Sequence, residues 1–150
     1  NYNMDGQLVL AGLKADLESL VDTFKAAGAK RALVLDMSVA SHCELLQSAV
    51  ENLKPYLFEF LNDEFLDVVS NVSAEVYNTK DEAIEFLSSQ LIAPVKYKQS
   101  IKAHDSKVDL YIEFGNGAVL KGLNKKSSEK PTLNVSDMKT LNETIEALND

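Results

Sequence analysis

The chain alternates short β-prone runs with segments whose apolar residues recur at helical spacing, and this alternation constrains its fold more than any other feature. From Leu13 to Phe24, for example, apolar residues recur mostly in steps of three and four, which marks one face of a helix. Strands that alternate with helices need crossover connections, so the pattern predicts an α/β fold with a mostly parallel sheet. Strands are predicted over residues 7–11, 31–37, 66–69, 108–114 and 132–135, and helices over 13–24, 45–53, 80–87, 95–103, 119–123 and 137–148.

A few residues predict where these elements begin and end. Ser41 and Glu44 form the Ser-x-x-Glu pattern of a capping box, which predicts a helix that begins directly after Ser41. Gly28 fits the C-terminus of the first helix. Pro55 is expected to end or kink the second helix, and Pro94 is expected to break the helical pattern before it.

Charge and composition exclude several classes of function. The 150 residues carry 15 Lys and Arg against 23 Asp and Glu, and a net charge of -8 argues against a nucleic-acid binder. A single cysteine cannot form an internal disulfide and two histidines leave little material for a metal site, so we predict a reducing, cytoplasmic setting. The apolar runs are far shorter than the roughly 20 residues of a membrane span, so we predict a soluble protein without membrane contact.

His42 is the first candidate for chemistry. It follows a predicted strand and comes directly after the predicted cap Ser41, so it is expected in the first turn of a helix. The unpaired N–H groups of a helix start disfavour a positive charge, so the imidazole would stay neutral and able to accept a proton, as a general base must. The alternative is a polar residue that only lies near a cap, and the local pattern leaves both interpretations open.

The other candidates carry weaker signals. Cys43 has no partner at metal-ligand spacing and fits a small buried side chain, while His104 fits a solvated surface. The segment 115–117 (Gly-Asn-Gly) could cradle an anion but better fits a tight turn, because Leu120 stands where a dinucleotide-binding motif has its third glycine. No two glycines lie four apart, so a Gly-x-Ser-x-Gly nucleophile elbow is absent, and a serine activated by His42 would lie outside this chain.

Five sequence blocks have the order and spacing of one enzyme family. They are Asn1-x-Asn3-x-x-x-Gln7, residues 28–33, residues 38–43 with Ser41-His42-Cys43, Gln90-Leu91-x-x-Pro94-Val95, and residues 113–123 with their Gly-x-Gly. Over nearly the whole chain these blocks resemble the C-terminal half of malonyl-CoA:acyl carrier protein transacylases, which load malonyl units for bacterial fatty acid synthesis. The chain opens on Asn1 rather than Met and shows no signal peptide, so we expect it to begin inside a longer protein.

The resemblance implies a fold and two site residues. The fold is an α/β-hydrolase-like core with an inserted ferredoxin-like subdomain, in which residues 1–37 form the second half of that subdomain and residues 38–150 the C-terminal part of the acyltransferase core. His42 is implied to be the catalytic base. The backbone carbonyl of Gln90 is implied to accept a hydrogen bond from the His42 ring and to set its tautomer, which is the role of aspartate in the usual triad.

The resemblance also implies what the chain lacks and what it binds. The nucleophile elbow, a glutamine-containing oxyanion loop and the arginine that pairs with the malonyl carboxylate all precede Asn1 in the family pattern. The implied partners are malonyl-CoA, acyl carrier protein and the missing N-terminal half of the enzyme; coenzyme A enters as a thioester substrate, and no cofactor or metal is expected. Exposed strand edges left by the missing half predict self-association of the fragment.

Some features leave alternatives open. Ala40, Asn116 and Tyr97 depart from the family's proline, proline and tryptophan, which affects turns and packing more than the role of His42.

Acyl carrier proteins are acidic, so a basic patch is needed to dock one. The first candidate is the set of lysines at positions 121, 125 and 126, and the second is the set of basic residues at positions 25, 30 and 31. The alternative function is a non-catalytic α/β protein-interaction module.

Overall fold

The computed structural model describes residues 1–149; residue 150, the last of the predicted core domain, lies outside them. The described residues form six helices and six strands, which confirms the α/β class. The helices are α1 Lys14–Ala26, α2 Gln47–Phe60, α3 Lys80–Ser89, α4 Tyr97–His104, α5 Val119–Asn124 and α6 Met138–Asn149, and the strands are β1 Tyr2–Met4, β2 Gln7–Leu8, β3 Glu64–Val69, β4 Val76–Thr79, β5 Tyr111–Phe114 and β6 Thr132–Val135.

The chain divides into two compact units. The first unit comprises residue 1 and residues 9–96, and the second unit comprises residues 2–8 and residues 97 onward. The boundary at residue 37 between a ferredoxin-like part and a core part stays a prediction.

The first unit contains α1, α2, α3 and the antiparallel β3–β4 hairpin. Helix α2 packs against α3, and the buried side chains of Val50 and Ala83 lie in these two helices. Tyr77 on β4 is also buried, with its ring 6.1 Å from that of Phe65 and 5.3 Å from that of Phe86 between centroids. This aromatic cluster fixes α3 on the hairpin, and the C-terminal end of α3 leads into the candidate site.

The second unit is built on the parallel pair β5–β6, in which Tyr111 lies opposite Thr132 and Phe114 opposite Val135. Helix α6 packs against β6. The β1–β2 hairpin packs against α4, where Asp5 forms ion pairs with Lys98 at 2.8 Å and Lys102 at 3.1 Å. Parallel pairing therefore occurs where a helix connects the strands, while the two hairpins pair antiparallel because their connections are short.

Several predicted elements differ from the structure. Residues 31–37 form no strand, although their sequence favours one, and Met37 is 71% exposed. Of the strand predicted over residues 7–11, only Gln7–Leu8 pairs. Pro55 does not end α2, which continues to Phe60, and of its two predicted effects only the kink stays a prediction. A strand exists only where a neighbour takes its hydrogen bonds, so local β preference alone did not decide the first two cases.

Tyr97, one of the departures from the family pattern, belongs to a partly buried chain of hydrogen bonds. Its hydroxyl donates to Oδ1 of the buried Asn124 at 2.8 Å, and Nδ2 of Asn124 donates to Oγ1 of Thr132 at 3.1 Å. Burial is the main reason that the pKa of Tyr97 rises to about 12. The phenol therefore stays protonated and can keep donating to Asn124.

The Gly-Asn-Gly segment forms the tight turn that the sequence predicts. Gly115 and Gly117 have φ angles of 132° and 89°, which favour glycine. The carboxylate of Glu113 reaches across the turn and accepts the backbone N–H groups of Lys121 at 2.9 Å and Leu120 at 3.0 Å. Two of the unpaired donors of the first turn of α5 are thereby satisfied.

The bonds to Glu113 predict acid sensitivity at this turn. The N–H groups of Lys121 and Leu120 lower the pKa of Glu113, so its stabilising effect is present above the ordinary glutamate pKa and is lost as the pH falls through the lowered value. We expect Glu113→Gln to reduce the hydrogen-exchange protection of both amides at neutral pH. The further loss of protection that the wild-type protein shows in acid should be absent from this variant. Glu129→Gln, at an exposed position of the same unit, is the control and should keep the wild-type profile. An unchanged profile in Glu113→Gln would contradict the prediction.

Candidate active site

His42 lies in a left-handed backbone conformation, with φ of 63°, immediately before a helical segment. The predicted capping box does not form: a 3-10 turn begins at Glu44, its N-cap is the extended Cys43, and no side chain caps it. Helix α2 begins only at Gln47. The prediction that His42 occupies the first turn of a helix is therefore wrong, and so is the argument for its neutral state from the helix start.

Two main-chain carbonyls hold His42 instead. The ring Nδ1 lies 2.6 Å from the carbonyl oxygen of Gln90, and the backbone N–H of His42 donates to the carbonyl of Leu91 at 2.9 Å. A carbonyl oxygen only accepts, so this contact requires the proton on Nδ1, and the neutral form of the ring then carries its lone pair on Nε2. His42 is half-buried. The two contacts hold the ring in one orientation and favour one tautomer of the imidazole.

The sequence explains why these carbonyls are available. Helix α3 ends at Ser89, and the last carbonyls of a helix have no partner within it. The natural donor to the Gln90 carbonyl would be the N–H four residues later, but that residue is Pro94, which has none. Pro94 therefore frees the acceptor that binds the His42 ring.

Asn71 and Ser70 are site residues that sequence reasoning missed. Nδ2 of Asn71 donates to the side-chain oxygen of Gln90 at 3.2 Å, and the Asn71 carbonyl accepts the N–H of Lys96 at 2.8 Å. Both residues lie in the loop between β3 and β4. Nothing in the sequence there signals a contact with a segment about 20 residues later.

The remaining candidates have local roles. Cys43 is half-buried, and its thiol donates to the carbonyl of Ala40 at 3.4 Å. His104 ends α4, where its Nδ1 lies 3.5 Å from Nζ of Lys107. Within residues 1–149, no three His, Cys, Asp or Glu side chains come together as a group that could hold a metal ion. None of the helices in this range is long and apolar enough to cross a membrane.

The predicted lysine patch borders a groove in the second unit. The groove has a volume of about 350 Å³ and is lined by Lys121, Lys125, Leu133 and Glu143 among others. Lys121 is half-buried, whereas Lys125 and Lys126 are exposed. Of the second candidate set, Lys25 pairs with Asp22 at 3.3 Å.

The fold relates the chain to α/β-hydrolase-like acyltransferases. A solved malonyl-CoA:acyl carrier protein transacylase from Helicobacter pylori superposes with a TM-score of 0.89 at 45% identity, over 93% of this chain and 45% of that one. A structure of a type II PKS acyl-carrier protein in complex with its malonyl-transacylase matches with a TM-score of 0.84 at 32% identity, over 91% of this chain and 45% of that one.

Sequence comparison gives the particular relatives. The chain is 39% identical to the malonyl CoA-acyl carrier protein transacylase of Bacillus subtilis over all of its own length and 48% of that protein, and 36% identical to that of Haemophilus influenzae over 99% of its length and 48% of that protein. The chain is thus a homologue of malonyl CoA-acyl carrier protein transacylases and spans about half the length of these curated relatives. No protein-family model matches it.

Proposed function

We propose that this chain is the C-terminal portion of a malonyl-CoA:acyl carrier protein transacylase and that His42 is its general base. The observation that carries the proposal is the 2.6 Å contact between Nδ1 of His42 and the Gln90 carbonyl, which leaves Nε2 free to accept a proton. The homologous transacylases support the substrate class, malonyl-CoA and acyl carrier protein. Coenzyme A is here a substrate carrier, and no resident cofactor is proposed.

In the proposed reaction, Nε2 of His42 takes the proton of a serine hydroxyl while the serine oxygen attacks the malonyl thioester carbonyl. The tetrahedral intermediate collapses, the carbon–sulfur bond breaks, and the imidazolium returns the proton to the departing coenzyme A thiolate. The phosphopantetheine thiol of acyl carrier protein then gives its proton to Nε2 and attacks the carbonyl of the serine ester. The bond between the serine oxygen and the malonyl carbonyl breaks, malonyl stays on the carrier sulfur, and the imidazolium returns the proton to the serine oxygen. Throughout, the Gln90 carbonyl accepts the Nδ1 proton and holds the ring in place.

The serine must come from outside this chain, because no two of its glycines have the spacing of a nucleophile elbow. We assign the serine, the oxyanion donors and the arginine for the malonyl carboxylate to the missing N-terminal half. The completed enzyme is this chain joined to that half.

Each unit has open strands, meaning strands with an unpaired edge, and exposed apolar side chains. Both features support the proposal that another half of the protein covers them. Parallel sheets are normally covered on both faces, yet within the described residues β5 and β6 form a pair with no third strand. Phe114 on β5 is 73% exposed, and Leu66 on β3 is 88% exposed. Large apolar side chains on open strands fit surfaces that another part of the protein covers.

Malonyl transfer by the completed enzyme tests the proposal. Acyl carrier protein incubated with malonyl-CoA and the completed enzyme should gain one malonyl group by mass spectrometry, through an intermediate in which the enzyme's serine is malonylated. A completed enzyme that binds acyl carrier protein but forms no malonyl ester would overturn the proposal and favour the interaction module.

Docking of acyl carrier protein provides a further prediction. We expect replacement of all three lysines at positions 121, 125 and 126 by glutamate to weaken binding roughly tenfold and to flatten its dependence on salt, because an acidic partner is steered by basic side chains. Titration of the completed enzyme with acyl carrier protein at low and high salt measures both effects. Glutamate at positions 25, 30 and 31 is the matched triple variant. An unchanged salt response in the first variant and a flattened one in the second would move the docking surface to the second set.

A further inference from the structure

We infer that Asn71 is a positioning residue for His42, acting through the segment of residues 90–96; the inference rests on the proposed function of His42. Asn71 binds the segment at both of its ends. Its side-chain Nδ2 donates to Oε1 of Gln90 at 3.2 Å, and its carbonyl accepts the N–H of Lys96 at 2.8 Å.

Between these two attachments lie the acceptors of His42. The carbonyl of Gln90 binds Nδ1 of the ring, and the carbonyl of Leu91 binds the backbone N–H. A shift of this segment therefore moves the acceptor of the ring and the acceptor of the main chain together. A hydrogen bond weakens steeply as its geometry departs from the optimum, so the 2.6 Å contact is sensitive to small displacements.

Hydrogen bonds within the loop that carries Asn71 fix its conformation. Ser70 is 2% exposed, and its hydroxyl oxygen accepts the N–H groups of Val72 at 3.1 Å and Ser73 at 3.3 Å. The N–H of Ala74 donates to the Ser70 carbonyl at 2.9 Å, with Ala74 itself buried in a left-handed conformation at φ of 66°. Asn71 thus extends from a rigid turn at the end of the β3–β4 hairpin.

The role differs from simple structural support. Asn71 is exposed, and a single exposed amide bond contributes little to folding stability because water replaces it. The same bond can still matter for reactivity, because misplacement of a catalytic group by a fraction of an ångström lowers the rate without unfolding the protein. We therefore expect removal of the Asn71 side chain to change kcat and the tautomer of the His42 ring.

The first test removes the hydrogen bond between the side chains of Asn71 and Gln90 by truncating each residue in turn. In the completed enzyme, Asn71→Ala and Gln90→Ala should each lower kcat roughly 3- to 10-fold with KM nearly unchanged. Neither substitution removes the main-chain carbonyl at its own position. The double variant should be no slower than the slower single variant, because both lose the same contact. Losses that multiply in the double variant would show independent effects and overturn the inference.

Asn78→Ala is the matched control. Asn78 lies on β4 of the same hairpin, and its Nδ2 donates to Oδ1 of Asp67 at 3.0 Å in a contact that is also exposed. This variant should keep the kcat of the unmodified completed enzyme. An equal loss of kcat in Asn78→Ala would assign the effect to the hairpin as a whole and overturn the positioning role.

A second readout does not depend on turnover. In the completed enzyme with ¹⁵N-labelled histidine, the nitrogen shifts of His42 should report a proton on Nδ1, and Asn71→Ala should raise the share of the other tautomer. Asn78→Ala should not. An unaltered tautomer in Asn71→Ala, together with unaltered kcat, would overturn the inference even if loss of His42 abolishes transfer. Normal transfer without His42 would instead overturn the proposed function.

Discussion

Replacing His42 by asparagine in the completed enzyme is expected to lower malonyl transfer by roughly 10²- to 10⁴-fold, the usual contribution of a general base. Asparagine tolerates the left-handed backbone that His42 adopts at φ of 63°, and its amide can still donate to the Gln90 carbonyl. It carries no nitrogen lone pair that can take up the serine proton. Rates of serine acylation and of transfer to the carrier thiol, measured separately, should both fall.

His42→Ala separates chemistry from backbone strain. It should lose as much activity as His42→Asn and in addition lose about 1 kcal/mol of stability, because alanine is disfavoured in the left-handed region. His104→Asn replaces the second histidine, at the end of α4, and should leave both rates unchanged. Near-normal turnover in His42→Asn would remove His42 from the mechanism.

Elements with strong local signals could be predicted from the sequence, and elements that depend on distant partners could not. The strand β6 covers Thr132–Val135 as predicted, and α6 differs from its predicted range by one residue at each end. Both follow from periodic apolar residues bounded by polar or turn-forming ones. Residues 31–37 have an equally strong β-prone composition, but within the described residues no strand pairs with them. Strand formation is decided by a neighbour, and a local pattern carries no information about that neighbour.

The candidate site shows the same division. His42 could be selected from the sequence, but its backbone conformation could not, because a Ser-x-x-Glu pattern also occurs where no capping box forms. The contact of Gln90 with the ring was implied only by family resemblance. Its local cause, the missing N–H of Pro94, can be read from the sequence once the end of α3 is known. The contact of Asn71 with Gln90 depends on how a hairpin loop packs, which no spacing rule predicts.

The chain on its own is expected to be inactive and to self-associate. Without a nucleophile elbow it should form no malonyl ester when incubated with malonyl-CoA, and intact-mass spectrometry should show the mass of the unmodified chain. Its open strands offer unpaired backbone groups beside exposed apolar side chains such as Leu66, which promote pairing with another copy. Light scattering should therefore report species larger than a monomer. A malonylated serine in the isolated chain would contradict the assignment of the nucleophile to the other half.

Adding back the N-terminal half tests the inactivity and the self-association of the isolated chain together. Adding the separately expressed N-terminal half at equal concentration should convert the self-associated chain into a one-to-one complex that transfers malonyl, because the same apolar surfaces are covered in both cases. Leu66→Lys should reduce self-association and should also weaken the complex with the N-terminal half, because it replaces an exposed apolar side chain that both associations would bury by a charge that is costly to bury. Asn78→Lys adds the same charge to the same hairpin without removing an apolar side chain, and it should leave both associations intact. A monomeric isolated chain, or a Leu66→Lys variant that still self-associates, would show that these strands are not the surfaces that the missing half covers.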